Sequence, residues 1–334
     1  MEMNRPPVII DEIQYAPELL SYIKMAIDGH RNQAGQFVLT GSQVFPMMQG
    51  VSETLAGRIA VFHLYPFHTD ELPERQFQNG SLRGSGLAKQ IIRGFYPELI
   101  INKNIDGNRW FASYMATYLE RDVRNIKKIG DLTKFQTFVS LLSARAGGLL
   151  NLSEISRECG VTQPTAKEWL TILQSTYVVY ILQPWHRNIT KRVVKTPKLY
   201  FIDTGLLCYL LGIDSVDRFL RSAERGRIFE NFVVMEAVKR ISAVERRVNL
   251  FFYRTAAGGE IDLLLEVGND IWACEIKFSK TPDWAMASGL KYGAKDLIYS
   301  TGTILTLQDD PVPFSEKIVS MNWHEGLTKI LDHV

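Results

Sequence analysis

The segment Gly258–Ser279, GGEIDLLLEVGNDIWACEIKFS, restricts the fold more than any other part of the chain. Two apolar-rich runs flank Gly268–Asn269, a dipeptide suited to a two-residue hairpin turn. That turn sets Val267 opposite Asp270, and the same register carried outward sets Asp262 opposite Glu275. Directly paired residues share a face, with Cβ atoms about 5 Å apart. Lys277 lies two residues beyond Glu275 and points the same way. A three-residue loop would slip the register and set Asp262 against Ile276, on opposite faces, so the turn decides the arrangement. Two carboxylates this close repel unless a cation sits between them, which makes Asp262 and Glu275 candidate Mg²⁺ ligands. Lys277 is then placed to steady a nucleophilic water or a developing phosphate charge. The alternative is a surface hairpin with an ordinary ion pair.

A further acid belongs with this group. On the helix predicted from Gly226 to Ile241, Glu230 projects with Ala237 and Ile241 and has Val233 and Val234 beside it. A carboxylate on an apolar stripe is costly unless it reaches a partner, so Glu230 is expected to reach the hairpin.

The N-terminal stretch alternates strands and helices: strand Val8–Ile10, helix Pro17–Asp28, strand Phe37–Thr40, a short helix from Ser52, and strand Ala60–Leu64. That order predicts a parallel sheet with crossover helices. Asp11 and Glu12 follow the first strand as a Walker B pair would, Asp11 holding Mg²⁺ and Glu12 polarising the attacking water. Thr40–Gly41–Ser42 ends the next strand beside the expected phosphate position, and Arg58 offers positive charge there. No G-x-x-x-x-G-K-[ST] loop occurs in the sequence.

Gln76–Gly94, rich in Gly, Ser and Arg, reads as a loop or mobile lid, and Trp110–Lys128 as a long amphipathic helix. Phe135–Ala144, Ser153–Glu158 and Thr162–Gln174 follow as helices, with Thr162 as N-cap and Pro164 in the first turn. Strands Tyr177–Leu182 and Lys198–Ile202 complete a winged helix-turn-helix. The segment between them carries Arg187, Lys191, Arg192, Lys195 and Lys198 and no acid, which suits contacts to DNA phosphates. The second helix offers Gln163, Thr165 and Lys167, with Glu168 working against them. The alternative is a winged helix that only joins two domains. Beyond Gly226 come strands Asn249–Tyr253, Glu260–Val267, Ile271–Phe278 and Leu297–Ser300, with a helix near Trp284–Tyr292.

A net charge of +2 on 334 residues excludes a globally basic nucleic-acid binder, so any basic surface must be local. Cys159, Cys208 and Cys274 form no C-x-x-C pair, which argues against disulfides and zinc and for a reducing, cytoplasmic setting. No apolar run approaches membrane-spanning length, so no membrane partner is expected.

The segments VIIDEIQ, VLTGSQ, LAGR, YLERDV, PKLYFIDTGL, GRIFENFV, GGEIDLLLE and EIKFS occur in one order along nearly the whole chain. In that order they resemble prokaryotic AAA-like P-loop ATPases that carry a C-terminal restriction-endonuclease-like domain. The resemblance implies an α/β chain of three parts. These are a truncated AAA-like ATPase domain with helical lid (1–128), a winged helix-turn-helix (129–212) and a nuclease-like domain (213–334). It implies ATP and Mg²⁺ as cofactors, with Asp11, Ser42, Arg58 and Arg121 facing nucleotide. It implies Glu12, Glu230, Asp262, Glu275 and Lys277 as candidate catalytic residues. DNA, and a second copy of the chain, are the partners to be expected. The family's phosphate loop, with its strand and helix, has no counterpart here, so the sequence reads as a member shortened at its N-terminus that binds ATP poorly.

Overall fold

The computed structural model describes residues 6–41, 54–72, 84–118, 131–185, 195–243, 248–255, 258–293, 297 and 299–333. The N-terminal unit holds β1 (Val8–Ile10), α1 (Leu19–Gly29) and β2 (Phe37–Leu39). The two strands pair in parallel, Ile9 against Val38. One face of this small sheet covers a core of Ile13, Leu20, Ile23 and Leu55, while Ile9 and Val38 face outward. Ala60–Leu64, expected as a third strand, is exposed and irregular. β1 and β2 are paired only with each other among the described residues.

The middle of the chain is helical: α2 (Ser85–Arg93), α3 (Pro97–Ile101), α4 (Gly107–Tyr118), α5 (Leu132–Ser143), α6 (Leu152–Glu158) and α7 (Gln163–Ser175). α2 lies in the segment read as a loop or lid. Its Leu87, Ala88 and Ile91 form a fully buried stripe at helical spacing, a pattern masked by the surrounding Gly, Ser and Arg. The turn before α7 is built as the sequence requires, the Thr162 hydroxyl accepting from Thr165 N at 3.3 Å. Strands β3 (Val179–Pro184) and β4 (Lys198–Phe201) pair antiparallel.

The chain then runs through α8 (Thr204–Leu210), α9 (Val216–Arg221) and α10 (Arg225–Ser242). Next come β5 (Asn249–Arg254), β6 (Glu260–Val267), β7 (Asp270–Ile276), α11 (Ser288–Gly293), β8 (Thr301–Thr306), β9 (Val312–Pro313), β10 (Ile318–Asn322) and α12 (Trp323–Asp332). The strand expected at Leu297–Ser300 begins at Thr301 instead, after Ser300 N has bonded to Ile271 O. The fold is mixed α/β. Its large mixed sheet has the order β4-β3-β5-β6-β7-β8-β10-β9, so β4 is an edge strand and β3 lies between it and β5. The junction is a parallel pairing, Gln183 with Phe251 and Pro184 with Phe252. α10 is buried along most of its length, and its buried residues include Asn231, Glu236, Lys239 and Arg240 beside the apolar ones.

The chain between the N-terminal unit and α2 is tied to α10 by polar groups. Glu236, on α10, accepts from Thr69 N at 3.1 Å and from Thr69 Oγ1 at 2.5 Å. Arg240 donates to Thr69 Oγ1 at 2.8 Å, Asp70 Oδ1 at 3.1 Å and Thr328 Oγ1 at 3.0 Å, and Lys239 donates to Phe67 O at 3.1 Å. A second tie runs through Asp203, the N-cap of α8, whose carboxylate accepts from Leu206 N at 3.0 Å and Phe95 N at 2.7 Å. Gly205 permits that approach, since a Cβ there would lie 2.6 Å from Gly94 Cα.

Candidate functional site

β6 and β7 pair in the register that the Gly268–Asn269 turn requires, from Val267 with Asp270 to Leu263 with Cys274. Gly268 takes φ +59°, a left-handed conformation that glycine adopts without strain. Beyond that ladder the Asp262 and Glu275 carboxylates converge on one ammonium. Lys277 Nζ lies 3.0 Å from Asp262 Oδ2 and 2.6 Å from Glu275 Oε2. Asp262 Oδ2 also accepts from Ile276 N at 2.8 Å. Both acids are buried, and helix α11 packs against the pair so closely that a Cβ on Gly289 would collide with Glu275 Oε1.

Glu230 reaches this cluster through an intermediary. Its Oε1 accepts from Lys198 Nζ at 2.9 Å and from Tyr200 OH at 2.7 Å. Lys198 Nζ lies 2.5 Å from Glu260 Oε1 and 3.9 Å from Asp262 Oδ1, and Arg254 closes the row with a 3.0 Å contact to Glu260. Asn231, next to Glu230, positions this contact. Its amide accepts from Phe201 N at 2.8 Å and donates to Phe201 O at 2.7 Å, pairing the free edge of β4 as another strand would.

Lys198, expected among the cations facing DNA, is instead buried among acids. Its side chain is only 2% exposed. Lys198 and Tyr200 alternate onto the same face of β4, and that face is turned toward Glu230. The sequence placed Lys198 among the cations expected to face DNA, and neither Tyr200 nor Glu260 stood out in it. The one available signal was the K-x-Y spacing within an otherwise apolar strand.

Burial, then the neighbouring Asp262 charge, pushes the Glu275 carboxyl well above the usual carboxylate range. Burial acts on Asp262 in the same direction, but Lys277, Lys198 and the Ile276 N–H outweigh it and hold that carboxyl low. Glu230 is raised by burial against the pull of Lys198. Lys198 stays charged although burial opposes it, because Tyr200, Glu230, Asp262 and Glu260 surround its ammonium.

Asp262 and Glu275 supply carboxylate oxygens, and the Lys277 ammonium between them stands where a cation's charge would be. Glu275 Oε1 is buried with no hydrogen-bond partner among the described residues. Among those residues no group of three or more His, Cys, Asp or Glu side chains is arranged to hold a metal, because Glu230 is turned to Lys198 and Tyr200.

At the other end of the chain, Asp11 follows β1 and accepts from the Thr40 hydroxyl at the end of β2. Glu12 N donates to Thr40 Oγ1 at 3.2 Å, and Glu12 itself takes φ +53°. Arg58 is occupied by Asp28, 2.8 Å from its Nε, on the same small unit. Ser42, Arg121, Arg187, Lys191 and Arg192 lie outside the described residues, and Lys195 is exposed. Among the described residues no helix is long and apolar enough to cross a membrane.

Residues 1–72 match the AAA domain family. Residues 85–217 and 225–325 match two further families, each described as a domain of unknown function (DUF8612 and DUF4143). With the strand-borne Asp11–Glu12 pair, these matches relate the chain to AAA-like ATPases. Its similar proteins include uncharacterized proteins of Mycobacterium bovis and Mycobacterium tuberculosis. Each is 28% identical over 321 residues, covering 96% of this chain and 69% of the relative. No solved structure matches the chain.

Proposed function

We propose that this relative of AAA-like ATPases acts on DNA, and that its chemistry resides in the C-terminal carboxylate–lysine cluster as a divalent-cation-dependent phosphodiesterase. The observation that carries the reading is the convergence of Asp262 and Glu275 on the Lys277 ammonium in a buried, hairpin-fixed register. Asp262 and Glu275 would hold the cation. When bound, it supplies Lewis-acid polarisation of a phosphodiester and a water acidic enough to attack it. Lys277, half-buried at the mouth of the cluster, stabilises negative charge growing on the phosphate. Glu230, fixed by Lys198 and Tyr200, orients the inner side of the cluster. The basic segment with Arg187, Lys191, Arg192 and Lys195 supplies sequence-independent phosphate contacts that bring the duplex to the site.

The test is cleavage of plasmid and linear duplex in Mg²⁺ or Mn²⁺ by the wild-type chain, Asp262→Asn and Lys277→Ala. The expected result is cleavage that chelation abolishes and that both variants lose. Cleavage unchanged in Asp262→Asn, or absent with either cation while DNA still binds, would sink the proposal. In the latter case the C-terminal unit is an interaction scaffold, and the DNA-associated work belongs to an ATPase. Nucleotide turnover by a chain carrying a phosphate loop would then identify that activity.

A further inference from the structure

The stretch matched to the AAA domain runs to residue 72, but the fold divides earlier. Ile13, Leu20, Ile23 and Leu55 form a core of their own, with Ile10, Phe37 and Leu39 packed against it. Hydrogen bonds close this unit from within. Val8 N donates to Gln36 O at 2.9 Å, Ile13 N to Thr40 O at 3.0 Å and Arg58 Nε to Asp28 Oδ1 at 2.8 Å. Tyr65, Phe67 and Leu72 belong instead to the main core, which also holds Phe95, Phe232 and Trp323. Residues 59–62 run between the two cores without helix or strand, with Ile59 40%, Val61 44% and Phe62 85% exposed. From His63 onward the chain is gripped. His63 Nδ1 lies 2.5 Å from Tyr177 OH, and the Tyr65 ring meets Tyr177 edge-on at 5.4 Å. Phe67 N donates to Phe95 O at 3.0 Å, Thr69 is fully buried against Glu236 and Arg240, and Asp70 Oδ1 lies 2.7 Å from His324 Nε2.

We infer that 59–62 are a hinge and 63–72 a strap clamped to the C-terminal body, so that the unit carrying Asp11 and Glu12 swings as a whole while the strap stays seated. The two segments differ in what a movement would break. Rotation about 59–62 disturbs exposed side chains and no backbone ladder, so a few loop residues absorb it at little cost. Lifting the strap would strip Thr69 from Glu236 and Arg240 and leave those buried charges short of partners, which a low-dielectric setting makes costly. The last residues of the AAA-matched stretch therefore belong mechanically to the body that holds the carboxylate cluster. A pull from the N-terminal unit arrives on α10 through Glu236, Lys239 and Arg240, and the same helix carries Glu230.

The test is the distribution of distances between paired spin labels in the full chain, by double electron–electron resonance. Cys159, Cys208 and Cys274 are buried, so cysteines placed at exposed positions take the labels selectively. One pair joins Met25→Cys on α1, where Met25 is 70% exposed, to Leu220→Cys on α9. The control pair, Ile101→Cys with Leu220→Cys, lies within the C-terminal body. The first distribution should be several times broader than the control. Tyr22→Cys, also exposed on α1, gives the same reading if Met25→Cys fails to fold. Hydrogen exchange in the unlabelled chain tests the strap: the Thr69 amide, bonded to Glu236, should exchange about 100-fold more slowly than the amides of 59–62. A first distribution as narrow as the control would overturn the hinge. Thr69 exchanging as fast as 59–62 would overturn the strap.

Discussion

Replacing Arg240 with methionine tests how the 67–72 segment is held to the rest of the fold. Arg240 is 6% exposed and its neighbour Glu236 1% exposed, so both charges are carried in a low-dielectric setting. The substitution removes hydrogen bonds to Thr69, Asp70 and Thr328 and leaves Glu236 buried without its cation, 3.5 Å from where Arg240 Nε had been. Removing one partner of a buried pair costs about 3–5 kcal/mol. Two features move the expectation to the lower end. Asp70 is 43% exposed, so its share is screened, and Glu236 keeps the Thr69 N–H and hydroxyl. The expected loss is therefore about 3 kcal/mol, read as a lower midpoint at unchanged slope in urea unfolding followed by circular dichroism. Glu236→Gln combined with Arg240→Met should cost clearly less than the two single changes summed, because the orphaned charge is gone. A loss below about 1 kcal/mol, or strict additivity of the pair, would refute the picture of a coupled buried network.

Three further outcomes follow from the same physical reasoning. Glu275 has its carboxyl raised by burial first and by Asp262 second, so the folded chain keeps a proton that the unfolded chain releases. Wild-type stability should then fall as pH rises from the unfolded carboxylate value, about 4.3, toward the raised folded value, and Glu275→Gln should flatten that fall. Melts across pH 4–8 check this, and a variant with the wild-type slope would contradict it. Changing Lys191, Arg192 and Lys195 together to alanine should weaken binding to any duplex and reduce the log–log salt slope by about 0.9 for each phosphate no longer neutralised. An unchanged slope would mean the segment does not touch DNA. The 334-residue chain should not hydrolyse ATP, since its sequence offers no loop to cradle the β- and γ-phosphates. Phosphate release that disappears with Glu12→Gln would overturn that expectation.

What the sequence reveals, and what it hides, divides along physical lines. The β6–β7 hairpin is legible because side-chain alternation and a Gly-Asn turn are local and rigid, so the turn alone places Asp262, Glu275 and Lys277 on one face. Long periodic helices such as α7 and α10 are legible for the same reason. Helix α2 is not, because the Gly, Ser and Arg around it obscure the Leu87–Ala88–Ile91 spacing. Ala60–Leu64 fails in the opposite sense: a run with strand-like residues becomes a strand only if another strand pairs with it. Lys198 is hidden by a deeper cause. It follows a run of exposed-type basic residues, and the K-x-Y spacing alone does not distinguish a lysine bound for solvent from one bound for a buried acid. Its fate is set by Glu230 on α10, by Glu260 and Asp262 on β6, and by Asn231, which holds β4 against α10. Those partners lie tens of residues away, so only the assembled sheet reveals that Lys198 is buried among acids.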